Sequence, residues 1–214
     1  MPKPSKTDKA RDSYAAFRYP NFRFYTLGMF FAEIAEQMTR VAVGYEIFHR
    51  THSTLALGFI GFSIWLPIFL FMMPGGAVAD RFNRKTIVLC CTLIYSVCAV
   101  GLAWAPRVPN PLWVMYGLLF LTGLNRAFND PARRSLLPQL VPRKHFTNAI
   151  TWSSNLFQMG SVVGPALGGM LYAAMGYSNV CYLVAVLELV LFVNILAIRQ
   201  SPIAFKGEPV SLQS

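Results

Sequence analysis

The chain alternates long apolar runs with short polar stretches, and the runs are of helix length. Six of them stand out, at residues 24–48, 55–79, 86–105, 112–129, 153–175 and 179–198, the fifth preceded by an amphipathic stretch from Phe146. Each is close to the roughly 20 residues that a helix needs to cross about 30 Å of hydrocarbon. The apolar residues are continuous and do not alternate with polar ones, so barrel strands are excluded in favour of helices. Prolines punctuate the pattern. Pro106 to Pro111 stops the third run, Pro131 is expected to end the fourth, and Pro74 with two following glycines reads as a turn-like cluster near the end of the second. The pattern predicts an all-α integral membrane protein of six transmembrane helices. A basic segment (1–23) precedes the bundle (24–199), and 200–214 reads as a tail or the start of a linker.

Composition agrees: 55% of the 214 residues are hydrophobic and only 13% charged, against about a quarter charged in soluble domains. The net charge of +10 in a soluble protein would suggest nucleic acid. Here it records orientation. With the amino terminus cytoplasmic, the inner segments carry 16 of the 19 Lys and Arg, the outer loops only Arg50 and Arg107, and Arg40 lies within the first run. That asymmetry is the positive-inside pattern, with both termini inside, and it removes the need for a nucleic-acid partner. Cys90, Cys91, Cys98 and Cys181 lie in apolar runs without metal-site spacing and read as packing residues. His49 and His52 have no acidic or thiol ligands nearby, so no metal is expected, and without a Walker loop, dinucleotide fingerprint or serine elbow neither a cofactor nor an enzyme activity is expected.

Four groups of residues carry candidate chemistry. Glu33, Glu36 and Arg40 share one face of the first helix; charges at membrane depth usually face a bundle interior or a wet cavity. They read either as a substrate and proton pathway or as a structural ion pair that sets helix rotation. The run 76–85 places Gly76, Asp80, Arg81, Arg84 and Lys85 between the second and third helices: a glycine for close approach, then a carboxylate able to hold arginines or cap a facing helix, then cations. Arg126 and Asp130 lie one turn apart and, with Arg133 and Arg134, are expected to brace the inner loop. Gly160, Gly164 and Gly168 repeat every four residues beside Pro165 and Gly169, a small-residue face suited to packing or to gating. Glu188, alone on the sixth helix, reads as a structural or protonated acid.

The run 76–85 resembles the loop signature of the major facilitator superfamily, Gly-x-x-x-Asp-Arg-x-Gly-Arg-Lys, with Asn83 in place of the second glycine; asparagine tolerates the left-handed backbone that such a turn would need. Residues 160–169 resemble the fifth-helix Gly-Pro motif of proton-exchanging exporters, with Thr151 where its most upstream glycine would stand. Residues 123–138 resemble the branch that includes enterobactin-type and macrolide-type exporters, although Leu119 stands where many drug:proton antiporters carry an arginine. The resemblance implies a bacterial inner-membrane transporter half built of two three-helix repeats. It further implies a small amphipathic substrate, protons as coupling ion, and a partner that is a second six-helix half or another copy of the chain. A non-transporting or truncated membrane subunit, or a homodimeric uptake or lipid transporter, is the alternative.

Overall fold

In a computed structural model, residues 14–198 are described. The amino-terminal cations up to Arg11, the tail 200–214, Arg199 and Lys206 lie outside the described residues. Six long helices account for most of the described chain: α1 (Pro20–Thr51), α2 (Thr54–Arg81), α3 (Arg84–Trp104), α4 (Pro111–Leu136), α5 (Phe146–Met175) and α6 (Tyr177–Ala197). No strand occurs among the described residues. The connections are short because single residues turn the chain. His52 ends α1 in the left-handed region (φ 48°), Asn110 precedes α4 there (φ 56°), and Gly176 at φ 80° alone separates α5 from α6.

The 106–111 stretch ends α3 as expected, but the Pro74 cluster does not turn α2 and Pro131 does not end α4. Pro67 and Pro74 lie inside α2, Pro165 inside α5, and α4 runs past Pro131 to Leu136. A proline frees the carbonyl four residues earlier, and neighbouring helices can re-satisfy it. At Pro131 that carbonyl belongs to Ala127, and the backbone of Gly75 on α2 lies directly against it.

Most helices adjacent in sequence touch little, α3 and α4 excepted. The main contacts are α1 on α5 and α6, α4 on α2 and α3, and α3 on α6. This list is unchanged when α1, α2 and α3 are exchanged for α4, α5 and α6, which is the symmetry of two equivalent three-helix repeats. Glycines permit the closest crossings. A β-carbon on Gly160, Gly164 or Gly168 would come within 2.9 Å of Glu33, 2.6 Å of Gln37 or 3.0 Å of Met38 on α1; one on Gly123 of α4 would come within 2.3 Å of the Ile64 carbonyl on α2.

The buried interior has two apolar parts with a polar layer between them. One cluster includes Met38, Val43, Leu102, Met115, Leu119, Val180 and Val184; the other includes Phe22, Val88, Ala132, Leu136, Leu191 and Ile195. Along each of α1, α3, α4 and α6 the stretch between these clusters holds buried polar residues: Glu33, Thr92 and Ser96, Thr122, Asn125 and Asn129, and Glu188. Cross-helix bonds help to hold the layer. Ser96 Oγ donates to the Ala185 carbonyl (3.1 Å) and Asn125 Nδ2 to the Cys91 carbonyl (3.0 Å). Large apolar side chains on the outer faces, such as Phe69, Met73 and Trp113, are exposed as lipid-facing residues would be.

Candidate transport site

Hydropathy divides the bundle. Only α2, α3 and α6 are long and apolar enough to cross a membrane by length and composition. The other three, α1, α4 and α5, carry the polar side chains that line a cavity of about 580 Å³, among them Glu33, Glu36, Arg126, Asp130, Ser153 and Gln158. The size falls within the 300–1,000 Å³ typical of small-molecule sites. Aromatic and apolar residues, Tyr25, Met29, Phe30 and Phe157, complete the wall.

Glu36 is the centre of the charged network. Its Oε1 accepts from Arg40 Nη2 at 2.6 Å, one turn along α1, and from Arg126 Nη1 on α4. Arg126 Nε in turn donates to Asp130 Oδ2 at 3.1 Å. The two helical pairs therefore form one four-residue chain joining α1 to α4. Arg126 and Asp130, expected to brace the inner loop, both line the cavity, and Arg126 reaches Glu36 on α1. Arg133 and Arg134 also line the cavity, and the Arg133 carbonyl accepts from Tyr25 Oη at 3.1 Å.

Glu33 takes a separate place. It is 7% exposed, accepts from Gln37 Nε2 at 2.7 Å, and packs beneath Gly160. The first-helix acids thus have different partners, Glu36 cationic and Glu33 a neutral amide.

The run 76–85 is arranged differently from expectation. Gly76 has no atom within 4 Å of where a β-carbon would sit, and the close approach is made by Gly75. Asp80 is exposed and makes no ion pair with any described residue. Asn83 is not left-handed (φ −64°). It caps α3, its Oδ1 accepting from the Lys85 amide at 3.0 Å, so the turn needs no glycine. Lys85 Nζ reaches the end of α6 and donates to the carbonyls of Leu196 (3.0 Å) and Ile198 (2.7 Å), groups that a helix end leaves without partners. Pro165 stays within α5, while Gly169 faces open space.

One contact escaped the sequence reading, and the surroundings of Glu188 were not legible in it. Glu46, Arg50 and Tyr172 form a clamp between α1 and α5, Glu46 accepting from Arg50 (2.7 Å) and from Tyr172 Oη (3.2 Å). The Glu46–Arg50 spacing of four was the available signal. Glu188 on α6 points into the polar layer and shares with Glu36, Tyr95, Asn125 and Arg133 the lining of a second cavity of about 30 Å³.

Comparison with known proteins agrees with this architecture. The chain is 27% identical over 161 residues to macrolide efflux protein A of Streptococcus pyogenes, a match covering 73% of this chain and 40% of that protein. It is 31% identical over 162 residues to the enterobactin exporter EntS of Salmonella typhimurium, covering 74% and 38%. A mutant of the peptide transporter POT, solved with alafosfalin, superimposes with a TM-score of 0.72 over 85% of this chain and 38% of that one; at 16% identity this is a likeness of fold alone. The chain thus spans about two-fifths of the length of these relatives. Residues 25–210 match the Major Facilitator Superfamily, and with six helices in this arrangement the chain belongs to that family of membrane transporters.

Proposed function

We propose that this chain is one six-helix half of a proton-coupled secondary exporter, moving a small amphipathic compound of drug or siderophore type by alternating access against a second six-helix half. The observation that supports this best is the Glu36 bridge between α1 and α4 at the wall of the 580 Å³ cavity. Charges at this depth are costly unless paired, and one carboxylate holding two guanidiniums is a contact that a proton can release. Protonation of Glu36 removes the charge that draws Arg40 and Arg126 together, and so loosens α1 from α4. Glu33, with only an amide partner, is the other acid open to the same cavity. On this reading the exposed Asp80 and Arg81 meet the opposing half as the two rock, and the cation excess on one side supports a cytoplasmic position for both termini. The glycines of α5 let it slide closely along α1. The efflux names of the relatives support the direction of transport.

Proteoliposomes loaded with erythromycin as the probe test the reading. The chain alone is expected to give no counter-flow. Flux is expected when the carboxy-terminal half of a macrolide exporter is co-reconstituted, and a pH gradient should drive it. Flux by the chain alone would replace the half-transporter reading with a homodimer, and flux indifferent to the pH gradient would remove the proton.

A further inference from the structure

The small cavity gathers orphaned polar atoms. Of the buried side-chain atoms without a hydrogen-bond partner, Glu188 Oε2, Asn125 Oδ1, Asn129 Oδ1 and Arg133 Nε all belong to residues that line it. The two asparagines are each 6% exposed and Glu188 is 2% exposed. Asn125 is oriented by its Nδ2, which donates to the Cys91 carbonyl, so its Oδ1 must be the free acceptor. Among the described residues no cluster of three His, Cys, Asp or Glu exists that would suit a metal. The volume of about 30 Å³ admits a water molecule.

For a single water in this cavity, counting donors and acceptors favours a protonated Glu188. With its carboxyl ionised, the set is three acceptors and one donor. A single water accepts from Arg133 and donates twice, which leaves one buried acceptor bare. With its carboxyl carrying a proton, Glu188 becomes a donor. Glu188 O–H and Arg133 Nε–H then both donate to the water, the water donates to Asn125 and Asn129, and every atom is satisfied.

The charged and titratable groups facing Glu188 are Glu36 and Arg40 from α1, Tyr95 from α3, and Arg126, Asp130 and Arg133 from α4. Glu36 is held by Arg40 and Arg126, and Asp130 by Arg126. Arg133 is the cation of this lining that has no ion pair with a described residue. We propose that Glu188 is a proton-binding residue, holding its proton through a water shared with Arg133, Asn125 and Asn129, and that it exchanges the coupling proton with Glu36. The second clause rests on the proton-coupled reading above. Release sends the proton toward the larger cavity, which shares Glu36, Arg126, Asp130 and Arg133 with the small one, and leaves a carboxylate that draws Arg133 to it.

Infrared spectroscopy of the purified chain in lipid nanodiscs tests the proton directly. At neutral pH a protonated-carboxyl C=O band is expected that Glu188→Gln removes, Glu188→Asp shifts and Glu36→Gln leaves, with circular dichroism reporting whether each variant is helical. A wild-type spectrum without such a band overturns the proposal and needs no variant to do so; so does a band unmoved by both Glu188 substitutions. In proteoliposomes with the second half, Glu188→Gln is expected to lose pH-gradient drive of erythromycin flux. A band that responds to Glu188 with drive unchanged overturns the coupling role. If the wild type shows no drive at all, the proton-coupled reading fails instead, and the band still decides whether Glu188 holds a proton.

Discussion

Substituting Gly75 by alanine places a β-carbon 2.2 Å from the Ala127 carbonyl oxygen and 2.9 Å from its carbonyl carbon. Ordinary contact needs about 1 Å more, and both obstacles are backbone, so no rotamer change relieves the clash and α2 must move away from α4. Overpacking of this kind costs about 1–3 kcal/mol, occasionally more. Alanine recovers about 1 kcal/mol through its better helix propensity. The net expectation is a loss of roughly 1 kcal/mol, about five-fold in the folded-to-unfolded ratio. Gly76→Ala is the matched control. Its β-carbon would meet nothing within 4 Å, so it should be neutral or stabilising by up to about 1 kcal/mol. Reversible unfolding in mixed micelles, followed by helical circular dichroism, measures both. Equal stability of the two variants would refute the claim that Gly75 sets the α2–α4 approach.

The same logic applies on the other side of the bundle. Gly164→Ala, which would bring a β-carbon within 2.6 Å of Gln37 Cβ, should lower stability by roughly 1 kcal/mol, while Gly169→Ala, facing open space, should not, as read from the same unfolding transitions. Lys85→Met removes the two bonds that close α6. It should cost about 1 kcal/mol and speed hydrogen exchange in the last turn of α6 by several-fold, with α2 unaffected.

Local periodicity explains what was legible in the sequence. The six helices follow from continuous apolar runs. The pairs Glu36–Arg40 and Arg126–Asp130 follow from a spacing of four, which places side chains together whatever the rest of the chain does. What the spacing could not supply was the partner across the interface. Arg126 reaches Glu36 because the fold sets α4 opposite α1 across the cavity, which no local spacing encodes. The same limit explains Gly76, singled out by its place in a motif when its neighbour makes the contact. It also explains Asn83, whose expected left-handed turn gave way to a helix cap. Glu188 was visible as an isolated acid, but its arrival beside Asn125, Asn129 and Arg133 is a property of the packed bundle.

The central claim is that α1 and α4 are joined at the cavity by one charged unit in which Glu36 holds Arg126. A double-mutant cycle in erythromycin flux, with the second half co-reconstituted, tests it most directly. Residues acting as a unit are strongly non-additive. If the account is right, Glu36→Gln and Arg126→Gln each lower flux by about ten-fold or more, and the double variant is no slower than the worse single. Losses that multiply in the double variant, or singles that transport normally, would contradict it.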